Sequence, residues 1–131
     1  MQNPWPFKID QVNSRWPLET LEIARHIASI LEEKKGEDIL LMDIHSISDF
    51  TDYFIICSGT SDRMLQALSD AVVEGARQHF HLRGRPEGTP QDGWVLVDFG
   101  DIIVHLFSPD RRDYYRLEEL WGRGKVLLRL Q

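Results

Sequence analysis

Apolar residues recur along the chain in two rhythms, and the changes between them mark out the elements. Leu21, Ala24, Ile27, Ala28 and Leu31 follow at three- and four-residue steps, the spacing of one helical face. Pro17 suits a first turn, Glu32 to Lys35 form a solvated end and Gly36 is a stop signal, so a helix is expected over 17–35. Residues 38–45, DILLMDIH, read as a strand, and residues 46–52 as its connection. The run 53–58, YFIICS, is apolar almost throughout, as expected of a central strand covered on both sides. Ser61 then caps a helix reaching about Phe80, with Leu65, Leu68, Val72 and Ala76 on its apolar side. Residues 81–92, HLRGRPEGTPQD, are rich in Gly and Pro and read as loop.

Strict alternation follows over 94–98 and 101–107, two strands joined at Phe99-Gly100. Ser108-Pro109-Asp110 opens a helix over about 110–121 that aligns Tyr114, Leu117 and Trp121. Gly122 and Gly124 end it, and KVLLRLQ is left as a short last strand or an arm. The expected organisation is an extension over 1–16, a domain over 17–121 and a tail over 122–131. Helix, strand, strand, helix, hairpin, helix is the order of a single α/β domain, a mixed sheet flanked by helices.

The hairpin is the most informative stretch. With Phe99-Gly100 as a two-residue loop, Asp98 pairs with Asp101, Leu96 with Ile103 and Trp94 with His105. One face then carries Val95, Val97, Ile102, Val104 and Leu106, all aliphatic, and is the core face. The other carries Trp94, Leu96, Asp98, Asp101, Ile103, His105 and Phe107, which mixes large apolar groups with two acids and an imidazole. Two readings stand for this second face. Either it docks a basic protein on an aromatic anchor with an acidic rim, or a helix covers it and the acids sit at the solvated end.

Composition narrows the function classes. A chain of 131 residues with 42% hydrophobic content fits one domain with a real core. A net charge of -6 argues against binding nucleic acid mainly through its phosphates. Arg83 and Arg85, with Arg111, Arg112 and Arg116, make small basic patches that touch RNA at most peripherally. Cys57 is the only cysteine and lies in an apolar run, so it reads as a small buried hydrophobe. The absence of a possible internal disulfide, of a spanning apolar run and of a signal-type leader points to a cytoplasmic protein with no membrane contact.

Candidate chemistry is thin. Gly59-Thr60-Ser61 lies between strand and helix, where nucleotidyltransferases hold phosphate on backbone N–H groups, and this supplies the enzymatic alternative. Such enzymes place two carboxylates at alternate strand positions toward Mg²⁺, whereas Asp98 and Asp101 stand three apart across a turn. No Lys or Arg completes a phosphate loop within the turn. His79 and His81 have no further ligand at metal spacing, and His26 and His45 are isolated in the sequence, so no metal or cofactor is expected.

Three stretches together are distinctive: TDYFIICSGTSDR over 51–63, GWVLVDFGDIIVHLF over 93–107 and YYRLEELW over 114–121. In this order they resemble the ribosomal silencing factor family, RsfS or Iojap, over about 20–121, with Met64 standing where relatives often carry a polar residue. The resemblance implies a nucleotidyltransferase-like fold without a catalytic site, and therefore no enzyme. It implies attachment to the large ribosomal subunit, through the protein numbered fourteen in the universal scheme. That attachment would block joining of the small subunit and repress translation during nutrient shortage, with a homodimer possible when the protein is free. The family's hairpin Trp falls on Trp94, which makes Trp94, Leu96, Asp98 and Asp101 the expected centre of the contact, with Tyr115 and Glu118 beside it. Asp52, Thr60 and Ser61 belong to the family pattern as structural residues.

Overall fold

The computed structural model describes the backbone over residues 9–131 and the side chains from residue 19 onward. The first helix, α1, spans Ile9–Glu33 and starts well before the expected Pro17. Pro17 therefore lies inside the helix, where it has no N–H for the carbonyl one turn back. Residues 9–16, read as extension, are helical, and residues 1–8 of that extension lie outside the described residues.

The strands β1 (Glu37–Asp43) and β2 (Tyr53–Ser58) follow, then helix α2 (Asp62–Phe80). Ser61 caps α2 as expected, its Oγ accepting from the Met64 N–H at 3.0 Å. The segment read as loop contains a strand, β3 (Arg85–Thr89), and a single 3₁₀ turn over Pro90–Asp92. Its pattern was invisible because all five β3 residues are exposed and one is a proline, tolerated at a sheet edge. Strands β4 (Trp94–Asp98) and β5 (Ile102–Phe107) form the hairpin. The expected helix over 110–121 is two pieces, α3 (Pro109–Tyr115) and α4 (Leu117–Leu120), broken at Arg116 with φ 49°. The last element is a strand, β6 (Lys125–Leu130), which settles the form of the KVLLRLQ segment.

The six strands form one sheet in the order β3-β4-β5-β2-β1-β6. Only β2 and β5 pair in parallel, so the sheet is mixed and the α/β expectation holds. Helices α1 and α2 lie on one face. Ala24, Ile27, Ala28 and Leu31 of α1 and Leu65, Leu68, Val72 and Ala76 of α2 are buried against it. Val95, Val97, Ile102, Val104 and Leu106 point into this larger core, as alternation required. Cys57 is fully buried there, and burial pushes its thiol up to about 12, as befits a small hydrophobe. A smaller core on the opposite face joins Leu40, Met42, Ile44, Phe54, Ile56, Ile103 and Phe107 to Leu117 of α4.

The hairpin register differs from expectation by two residues. Asp98 stands opposite Ile103, Leu96 opposite His105 and Trp94 opposite Phe107. Gly100 and Asp101 make the turn, closed by the Phe99 N–H donating to the Ile102 carbonyl at 2.9 Å. Gly100 takes φ 91°, and the Asp98 carboxylate accepts its N–H at 2.7 Å, so local chemistry fixes the turn one position later. A two-residue slide leaves both faces intact, but Asp98 and Asp101 are not a cross-strand pair.

Candidate protein-docking surface

Trp94 is placed by two backbone devices and one side-chain cap. Gly93, at φ 78°, ends the 3₁₀ turn and starts β4, and its carbonyl accepts the Ser108 N–H at 2.9 Å. This bond ties the start of β4 to the end of β5. Ser108 in turn caps α3, accepting the Arg111 N–H at 3.2 Å, which sends α3 back over the mouth of the hairpin. Tyr115, at the last turn of α3, thereby reaches Trp94 with ring centroids 4.6 Å apart. From below, Trp94 stacks on Phe107 at 4.9 Å and donates its Nε1–H to His105 Nδ1 at 3.2 Å.

The result is an open groove of about 460 Å³. Trp94, Leu96 and Tyr115 supply its apolar surface, with Glu87, Asp92 and Arg111 around them. Trp94 and Leu96 are half-buried, and Tyr115 is 41% exposed. Glu87 enters because it pairs with Leu96 across β3 and β4, a neighbour that reading 81–92 as loop concealed.

The remaining expected residues are spread around this groove. Asp98 continues the Trp94–Leu96 face along β4, where it meets Arg85 at 3.4 Å in a largely exposed pair. Asp101 sits in the turn at the far end of the hairpin, and its carbonyl accepts the N–H groups of Asp52 and Tyr53, both at 3.0 Å. Burial first, then the Asp101 charge, holds the Asp52 carboxyl above its ordinary value. Glu118 faces another pocket. It accepts from Arg112 Nε at 3.1 Å, while the same guanidinium donates to the Asp38 carbonyl at 2.7 Å and to Ser58 Oγ at 2.9 Å. The structure thus joins Trp94, Leu96 and Tyr115, sets Asp98 beside them, and leaves Asp101 and Glu118 apart.

Two of the groups at the Gly59-Thr60-Ser61 turn are already in use. The Gly59 N–H donates to the Phe107 carbonyl at 2.9 Å, and Ser61 Oγ serves the α2 cap. A Cβ on Gly59 would come within 2.9 Å of the buried Leu65 side chain, which would have to shift to admit it. His26 is not isolated in space. Its ring lies 4.7 Å from that of His79 and 5.1 Å from that of Phe80, which joins α1 to α2.

Comparison with known proteins gives this arrangement a family. The model of the family described as "Ribosomal silencing factor during starvation" matches residues 17–129. The chain belongs to the ribosomal silencing factor family. The match runs past Trp121 through most of β6, further than the three stretches had reached. A ribosomal silencing factor RsfS of Bacillus subtilis is 42% identical over 100 residues, covering 76% of this chain and 85% of the relative. The mouse protein named "Mitochondrial assembly of ribosomal large subunit protein 1" is 33% identical, covering 88% of this chain and half of its own length. A crystal structure of a Chromobacterium violaceum protein superposes with a TM-score of 0.74 at 35% identity, over 78% of this chain and 85% of that one.

For a ribosomal silencing factor, the residue that sequence reasoning under-read is His105. Alternation puts it on the mixed face without distinguishing it from its neighbours there. It lies under Trp94, and the signal was its place two residues before Phe107 on a strand otherwise aliphatic.

Proposed function

We propose that this silencing factor docks on the large ribosomal subunit, through the protein numbered fourteen in the universal scheme, and sterically prevents the small subunit from joining. Translation then falls when nutrients are short. The observation that carries the docking site is the Trp94–Leu96–Tyr115 groove, an apolar centre with a half-buried aromatic anchor and charged residues around it. That layout is the one expected of a protein interface, in which a few aromatic anchors supply most of the binding energy. Blocking needs occupancy of a surface and no reaction. The name of the mouse relative, with its reference to the large subunit, points the same way. Asp98 extends the apolar face with an acid, which suits a basic ribosomal protein by raising the association rate and fixing orientation. In the free protein the same apolar groove is open to a second copy, and a homodimer would form there.

Sedimentation through sucrose gradients tests the proposal. The protein should travel with free large subunits and reduce the fraction of joined ribosomes. Trp94→Ala should weaken that binding by at least about 2 kcal/mol, the usual loss for a buried aromatic anchor. Wild-type comigration by the variant would remove Trp94 from the contact. Saturable binding of nucleotide with Mg²⁺ in a calorimeter would instead revive the enzymatic reading of the Gly59 turn.

A further inference from the structure

We infer that His105 is the positioning residue of the docking surface: from inside the sheet it holds the Trp94 indole in the orientation presented to the partner. The inference rests on the docking reading above, but its structural half can be measured without a ribosome.

His105 is in the middle of β5 and only 4% exposed. Aromatic rings surround it. Phe54 meets it edge-on at 4.6 Å, and Phe107 lies parallel to it at 6.1 Å. An indole N–H can only donate, so His105 Nδ1 must keep its lone pair and the proton must reside on Nε2. The tautomer is therefore set by Trp94. Burial also holds the imidazole well below its ordinary value, which keeps that lone pair available at neutral pH.

Nε2 is buried and has no hydrogen-bond partner. An apolar side chain of similar size would fill the position without leaving a polar atom unsatisfied. Packing alone is therefore a poor account of an imidazole here. What the imidazole offers, and a Leu does not and a Met only weakly, is an acceptor directed at Trp94. The ring contacts of Trp94 with Phe107 and Tyr115 are tolerant of rotation, since a flat indole stacks in either of two flipped poses. The bond from Nε1 distinguishes the two poses, and so decides which edge of the indole faces the groove.

Two substitutions separate this role from simple core filling. His105→Met keeps the volume and replaces the ring nitrogen with a thioether that accepts only weakly, whereas His105→Gln keeps a strong acceptor in its side-chain carbonyl. The ¹⁵N–¹H signal of the Trp94 indole, assigned by its disappearance in Trp94→Phe, reports the bond directly. Affinity for purified large subunits reports its consequence. In His105→Met the indole signal should move and affinity should fall about 3- to 10-fold, the equivalent of one hydrogen bond, with His105→Gln recovering most of the loss. A Met variant with the wild-type signal and wild-type affinity overturns the inference. A ¹⁵N spectrum of wild-type imidazoles gives a check that needs no variant to fold, and a proton on Nδ1 of His105 would overturn the inference as well. A displaced indole signal in His105→Met, together with wild-type binding by Trp94→Ala, would support the positioning and sink the docking reading instead.

Discussion

At the scale of single residues, a neutral imidazole inside the sheet makes stability depend on pH in one direction. Burial lowers His105 from 6.5 to about 4 in the folded protein. Above pH 6.5 both folded and unfolded forms carry it neutral, and it exerts no pH effect. As pH falls from 6.5 toward 4, only the unfolded chain takes up the proton, so stability declines across that window and levels off below it. The loss amounts to about 3 kcal/mol, since each unit of pKa difference corresponds to about 1.4 kcal/mol. His45 acts in the opposite sense, raised by its bond to Asp43, but it is fully exposed and the pair is open to solvent screening. Urea denaturation of wild type and His105→Gln at pH 7 and pH 4.5 should show a steeper decline for the wild type. Identical declines would mean that the imidazole protonates freely in the fold.

At the scale of elements, Arg112 fastens the short helices to the strand ends. Its guanidinium, mostly buried, reaches β1 at Asp38, β2 at Ser58 and α4 at Glu118. Arg112→Ala should cost about 2 kcal/mol by leaving these acceptors without their donor, and Arg112→Lys should restore little, because an ammonium lacks the planar fork. Chemical denaturation of both variants measures this, and a Lys variant as stable as wild type would show that charge alone suffices. Elements with a buried face were legible in the sequence, because burial imposes a pattern: a period in α2, β4 and β5, and an unbroken apolar run in β2. Elements lacking such a face were not legible. β3 is exposed throughout, and α3 breaks from α4 at an arginine with positive φ, where no glycine marks the bend. Alternation is also blind to a shift of two, so it assigned the hairpin's faces correctly while misplacing its turn. The groove suffered from the same limits. Trp94, Leu96 and Tyr115 could be named from the sequence, but Glu87 could not, and Glu118 proved to face Arg112.

At the scale of the whole molecule, the two faces of the sheet differ in kind. Helices α1 and α2 cover the central strands of one, whereas the other has, among the described residues, short α3 and α4, Trp121 and the segment after β1 above its smaller core. This asymmetry leaves the groove at the thinly covered end, on a sheet made rigid from behind. The strand order adds a temporal consequence. The other five described strands precede β6 in the chain, yet β6 pairs with β1 along its length, from Ile39 opposite Leu130 to Asp43 opposite Lys125. Until β6 emerges, the nearly inaccessible run Ile39 to Met42 has a free edge, the kind of edge that recruits other chains. A chain shortened by residues 125–131 should therefore scatter light and pellet on mild warming, and one that stays monomeric would show that the edge is protected some other way. If the truncated chain behaves so, β6 is a seal added as the chain is made, and a copy clipped before it would be hazardous before it was merely inactive.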